Sequence, residues 1–312
     1  MNLMHPPHRL LRFGRQSHPI FMALLLLLAT GGMAQQPTSP AGAGSMVSHV
    51  LEVGSTLELT VDATITEVAE AEATTPATPP MHFSSRWQVS VLGAGTDGMR
   101  DTAWTILESS VEGGPSNLSF MPQALRGIEF RVRWNIQGRF LEVRPPALPS
   151  PEIELFMAEW FAALQHVGIL PATAAASGSP VAGRRLSQLR LGGTLLEEAV
   201  DYRGRLDDVE DGVALLGADI TGRWNIQQLG ATGVVNRRHQ MQGRVDVLYD
   251  RQAQRITDAE LRSTHVVTTA QVRLQGHGQN LERVAVEDQR SADWHVVMAL
   301  SEVMPAPAAS AP

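Results

Sequence analysis

The 312-residue chain contains no cysteine. Disulfides, thiolate nucleophiles and thiolate zinc sites are therefore excluded, and the core must hold without covalent cross-links, which a chain of this length allows. Lysine is absent as well: all 25 basic residues are arginine. Schiff-base chemistry and a phosphate-loop lysine go with it. A GC-rich coding sequence that favours arginine codons is a sufficient explanation. The chain is also short of positive charge overall, with a formal net charge of −7. An acidic protein repels phosphate backbones on average, so no nucleic acid is expected as a partner.

What is present begins with an address. Arg9, Arg12 and Arg15 precede a short apolar run, Phe21 to Ala29, and Gly32-Met33-Ala34 supplies small residues for cleavage. Residues 1–34 therefore read as a signal peptide, with an uncleaved N-terminal anchor as the alternative. No Arg-Arg pair precedes the run, which favours the general secretory route. The expected location is the periplasm, or the extracellular space, with no stable membrane anchor once the signal is cleaved. Cleavage takes the charge from −7 to −10, because three arginines leave and no acid does. Residues 35–46 read as a flexible leader and residues 304–312, rich in proline and alanine, as a disordered tail. A β-rich domain is expected over 47–303, with possible halves at 47–170 and 190–303.

Within that domain the dominant rhythm is period two. Leu57, Leu59, Val61, Ala63 and Ile65 alternate with Glu58, Thr60, Asp62 and Thr64, as a half-buried strand requires. Similar alternation runs through Trp87–Val91, Thr102–Ile106, Ile128–Ile136 and most of the chain after Val200. Turns are expected at Asp207–Gly212 and at Asp250–Arg255. Residues 170–190 are rich in small residues and proline and read as a crossover. One helix interrupts the strands. Ser150 is its N-cap candidate and Pro151 suits its first turn. Ile153, Phe156, Met157, Trp160, Phe161 and Leu164 recur at helical spacing on one face. The expected fold is mainly β, a large curled antiparallel sheet, half-barrel-like, with one long amphipathic helix.

The pentapeptide Arg-Trp-Asn-Ile-Gln occurs at 133–137 and again at 223–227. In both copies Trp and Ile share a strand face while Arg and Asn share the other. It reads as a strand with a large aromatic inward, not as a nucleotide reader, which would need a basic groove. Other motifs also have plain readings. Gly93–Gly98 matches G-x-G-x-x-G, but the run after it alternates like a strand where a dinucleotide site needs a helix. Asp207, Asp208, Glu210 and Asp211 lack the EF-hand order, since Val209 and Ala218 stand at ligand positions. None of the seven histidines outside the signal segment has metal-ligand spacing; His265 and His295 lie in strands and could meet in space. Glu197 and Glu198 would face opposite ways in a strand. No catalytic residue, metal ligand or cofactor is expected.

Tyr202–Val209 followed by Asp211-Gly212-Val213-Ala214, Leu170-Pro171 with Pro180-Val181-Ala182-Gly183, and Tyr249-Asp250 with Arg255 resemble the strand ends and turns of a family of uncharacterised exported bacterial β-rich proteins. Gln254 stands where that pattern has glycine, and Leu186 where it has tryptophan. The resemblance implies no activity. Its layout is similar to the curled half-barrels of periplasmic lipoprotein and lipid carriers. Two functions follow as expectations. The first is a non-enzymatic carrier that binds a lipid or other hydrophobic small molecule, with Phe156, Trp160 and Phe161 as ligand-binding residues. The second is a cell-envelope structural or interaction module with a filled core, whose partner is an envelope protein.

Overall fold

The computed structural model describes residues 51–68, 79–114, 119–135, 138–167, 177–210, 212–230, 233–277 and 280–303. The signal segment, the leader and the tail lie outside these residues, as do 170–176 of the expected crossover.

The alternating segments form strands. β1 (Thr56–Val68), β2 (Met81–Ala94), β3 (Arg100–Glu112), β4 (Glu129–Trp134) and β5 (Phe140–Arg144) make one antiparallel meander. A short helix, α1 (Met121–Leu125), sits between β3 and β4. β6 (Ser179–Leu191), β7 (Thr194–Glu210), β8 (Val213–Gly230), β9 (Gly233–Asp250), β10 (Arg255–His277) and β11 (Asn280–Glu302) make a second. β1 pairs with β11, from Leu57 opposite Glu302 to Val68 opposite Ser291. The two meanders are thereby one eleven-stranded sheet, ordered β5-β4-β3-β2-β1-β11-β10-β9-β8-β7-β6 and nearly closed into a barrel. The curled antiparallel sheet expected from the sequence is thus observed. Its curl has a local signature at Gly243 on β9, where a Cβ would lie 2.3 Å from the Arg262 carbonyl oxygen. Only glycine lets neighbouring backbones come so close.

The turn expected at Asp250–Arg255 is present, with Asp250 Oδ1 accepting from the Gln252 and Ala253 amides at 2.8 Å each. The one expected at Asp207–Gly212 is narrower: Asp207–Glu210 belong to β7, and Gly212 turns the chain with φ 84°. A second boundary is corrected. The crossover is shorter than 170–190, because residues from Ser179 onward belong to β6. The inward positions of β6 include Arg185 and Ser187, so its alternation does not register as apolar. Those polar residues go inside because Glu198 on β7 is there to receive them.

The long helix is α2 (Pro151–Val167). Ser150 caps it, its Oγ accepting from the Ile153 amide at 3.3 Å. It joins the two edge strands β5 and β6 by running inside the sheet. On one side Phe83 of β2 meets Phe156 and Trp160, with ring centroids 5.1 and 4.6 Å apart, and Phe161 meets Phe130 of β4 at 5.2 Å. On the other side α2 contacts β6, β7, β8, β9 and β10. Burial is correspondingly all round: residues 160–166 form an unbroken buried run. The apolar stripe named from the sequence is real. The opposite face is buried too, because Ala158, Ala162 and Ala163 are small enough for the second wall to approach.

Candidate functional site

Three places in this barrel hold more than hydrocarbon packing: a buried polar network on α2, a seam between the sheet edges, and the outward face of the strands.

The network begins at Glu198, the inward member of the Glu197-Glu198 pair, while Glu197 is exposed as the strand alternation requires. Arg185 Nη2 and Nε donate to Glu198 Oε1 at 2.6 and 3.0 Å, and Ser187 Oγ donates to Oε2 at 3.0 Å. Arg185 Nη1 also donates to the Gln165 carbonyl at the end of α2. A buried carboxylate with this many donors is satisfied, and it ties β6 and β7 to the helix. His166 adjoins it. Trp224 Nε1 donates to His166 Nε2 at 2.6 Å, while Arg185 Nη2, which can only donate, lies 2.9 Å from His166 Nδ1, with Glu198 Oε1 behind it at 3.6 Å. Burial first, and then the Arg185 charge, push the His166 imidazole well below its usual range, so it stays neutral.

Around Trp224 stand two more buried histidines, His239 on β9 and His265 on β10, with ring centroids 4.9 and 5.0 Å away. Burial, reinforced by His239 and opposed by Glu159, pushes His265 down to about 3. Ser263 Oγ lies 2.8 Å from His265 Nε2, a spacing that nucleophile–base pairs share. Both residues are buried, and a base of that strength is a poor proton acceptor at neutral pH. Glu159 on α2 accepts from Arg237 at 2.5 Å and lies 3.3 Å from His239 Nε2. Burial would raise its carboxyl, but the Arg237 charge and the His239 contacts hold it at about 2. The sequence placed His265 and His295 in strands, and the structure puts them on opposite faces. His265 is inward, whereas His295 is outward and lies 2.6 Å from Glu260 Oε1. The gathering of His166, His239 and His265 around Trp224 has no signature in sequence spacing, because the helix and two of the strands contribute one histidine each. Among the described residues no group of three His, Asp or Glu side chains could hold a metal ion.

Phe156, Trp160 and Phe161 lie in the interior. Phe161 also faces Trp87, Trp104 and Phe140 at centroid distances of 5.9–6.2 Å. α2 and these rings pack against the inner faces of β2, β3, β4 and β5. The two copies of the repeated pentapeptide behave alike: Trp134 and Trp224 are buried, while Arg133 and Arg223 face out. Ile136 and Gln137 of the first copy lie outside the described residues. Gly93–Gly98 forms a hairpin connection with a single 3-10 turn, Thr96–Gly98.

The seam lies between β5 and β6, the strands at the two ends of the sheet order. A slot of about 860 Å³ is lined by Leu141, Val143 and Arg144 on one side and by Gln188, Leu189 and Arg190 on the other. Glu154 of α2 also lines it, and its Oε2 accepts from the Gly193 amide at 3.2 Å. The strands alternate in direction at every pairing, and eleven is an odd number. β5 and β6 therefore run the same way, and the antiparallel ladder cannot close on itself.

The outward face carries charge on every part of the sheet. Arg86 pairs with Glu58 and Glu108 at 3.1 and 2.7 Å, Arg133 with Asp101 at 2.7 Å, Arg244 with Asp246 at 3.0 Å and Arg290 with Glu67 at 3.1 Å. No helix among the described residues is long and apolar enough to cross a membrane, which says nothing about strands.

No protein-family model matches the chain, and no curated protein is significantly similar to it. Among solved structures it is similar to variants of the Rh. blastica porin, one at 9% identity over 79% of this chain and 99% of that one, with a TM-score of 0.20. Pseudomonas aeruginosa OpdQ is similar at 10% identity over 80% and 98% of the two chains, with a TM-score of 0.18. Both likenesses are weak. At such TM-scores they carry no argument about this chain.

Proposed function

We propose that this protein is a non-enzymatic, water-facing module of the cell envelope that binds an extended segment of a partner protein along the β5–β6 seam. The observation behind this reading is the parity of the sheet. β5 and β6 approach to within 8 Å between Cα atoms without an antiparallel ladder between them, and the slot along them leaves edge groups that an extended segment can meet. Unpaired strand edges are ready templates for such addition, with backbone hydrogen bonds supplying affinity and alternate side chains supplying specificity. The filled interior supports an interaction module over a carrier. The charged outer face supports a barrel in water over one in lipid, where the outside must be an apolar band. Export follows from the signal-like residues 1–34, and the periplasm is the compartment that this reading assigns.

The absence of cysteine makes the test clean. Single variants Leu141→Cys and Arg190→Cys, each carrying a photocrosslinker, should capture the same partner polypeptide in the periplasm, through residues of one extended segment. Gln88→Cys, exposed on β2 in the body of the sheet, is the control. Equal capture at Gln88 would overturn the reading. So would a stoichiometric amphiphile released by solvent from the natively purified protein, which would assign the carrier function instead.

A further inference from the structure

The two copies of the repeated pentapeptide differ at their arginines. Arg133 has a carboxylate partner, Asp101, whereas among the described residues Arg223 has none. Arg223 lies on the outward face of β8, opposite Gln240 of β9. The next outward rungs pair Asn225 with Arg238 and Gln227 with Asn236. These six residues, with Ile226, Arg237 and His239 between them, line a cleft of about 440 Å³. Arg238 likewise has no carboxylate partner among the described residues. The outward carboxylate in the same row, Glu197 on β7, accepts from Gln188 Nε2 at 3.0 Å. A protein of net charge −7 thus carries two exposed guanidinium groups side by side, set among four carboxamides, with no acid lining the cleft.

We infer that the Arg223–Gln240, Asn225–Arg238 and Gln227–Asn236 rungs form a binding site for an acidic saccharide. Diagonal cross-strand neighbours such as Arg223 and Arg238 start about 7–8 Å apart, so their planar forks can grip one anionic group together or two in succession. Carboxylate and phosphate both match the fork bidentately. Each carboxamide offers a donor and an acceptor, the combination that sugar hydroxyls require. No aromatic ring lines the cleft apart from the imidazole of His239, so the base-stacking platform of a single-stranded nucleic-acid site is missing. The site is separate from the seam and does not depend on it.

The test is calorimetric titration of the protein without its signal segment, using tetragalacturonate, glucose 6-phosphate, neutral maltotetraose and a short oligothymidylate. At least one of the two acidic sugars should bind, more weakly as salt rises, and maltotetraose should not. Arg223→Ala and Arg238→Ala should each weaken that binding by at least about tenfold. Both residues are exposed, so melting temperatures should be unchanged. Arg223→Lys should restore part of the loss. Leu141→Cys at the seam should leave the affinity as it was. Failure of both acidic sugars, equal binding of the neutral one, tighter binding of the oligonucleotide, or indifference to both alanine variants would overturn the proposal.

Discussion

Trp224 Nε1 donates to His166 Nε2 at 2.6 Å, joining the second copy of the repeated pentapeptide to the last turn of the helix inside the barrel. On its other side the imidazole meets Arg185 Nη2, 2.9 Å from Nδ1, so His166 lies between the strand tryptophan and the buried Arg185–Glu198 pair. Trp224→Phe would keep a ring in the space but leave a buried imidazole nitrogen bare. A loss of about 2–4 kcal/mol is expected in denaturant unfolding, from the lost bond and the smaller ring together. A change below about 0.5 kcal/mol would mean that the bond does not order the core.

The Arg185–Glu198 pair should show the asymmetry of buried ion pairs. Arg185→Met alone leaves a carboxylate inside with only Ser187 to satisfy it, and about 3–5 kcal/mol should be lost. Replacing both, as Arg185→Met with Glu198→Leu, should recover most of that. A double-mutant cycle on urea midpoints checks it, and additive losses would contradict the coupling.

Acid sensitivity should start near pH 6.5 and not only in the carboxylate range. His265 titrates at about 3 in the fold and near 6.5 when unfolded, so the unfolded chain takes up the proton first. Stability is therefore full above pH 6.5 and falls as the pH drops towards 3, by about 5 kcal/mol from this group. His166 shifts in the same direction. Glu159, held at about 2 against an ordinary 4.5, adds a further loss of about 3 kcal/mol as the pH falls from 4.5 to 2. Unfolding free energies measured from pH 8 to 3 should show this, and His265→Phe should flatten the slope between pH 6.5 and 4.

Gln254 adopts φ 51°, the only non-glycine residue with positive φ among those described. It is exposed and closes the β9–β10 turn. Gln254→Gly should stabilise the protein by roughly 0.5–1 kcal/mol, the relief of left-handed strain less the added freedom of the unfolded chain. Thermal melting reads the change directly, and a destabilised variant would mean that the Gln254 side chain contributes more than its backbone loses.

Phe161→Ala distinguishes a filled interior from a ligand chamber. Phe161 is fully buried against four aromatic rings of the surrounding strands, and its loss should lower stability by about 3–5 kcal/mol. A small loss of stability, with release of a bound amphiphile, would instead favour the carrier.

Much of this architecture was legible before the fold. Leu57 to Ile65 and Phe130 to Trp134 name their own buried faces, because a strand's side chains alternate whatever lies around it. Ser150, Pro151 and the spacing from Ile153 to Leu164 define the helix, and the Asp-Gly at 211–212 marks its turn, since caps and turns are local chemistry. The same locality explains the misses. β6 was hidden because Arg185 and Ser187 face inward only if Glu198 arrives from the next strand. His166, His239 and His265 lie far apart in sequence and meet only when helix and strands are in place.

The sequence by itself determined which residues alternate, where the helix begins, and that no thiol or lysine chemistry is possible. Those properties depend on neighbours a few residues away or on composition. Only the tertiary structure decided that the helix runs inside the sheet, that eleven antiparallel strands leave β5 and β6 facing each other unpaired, and that Arg223 and Arg238 share one cleft. Strand order and closure depend on pairings between distant segments, and no local pattern carries that information.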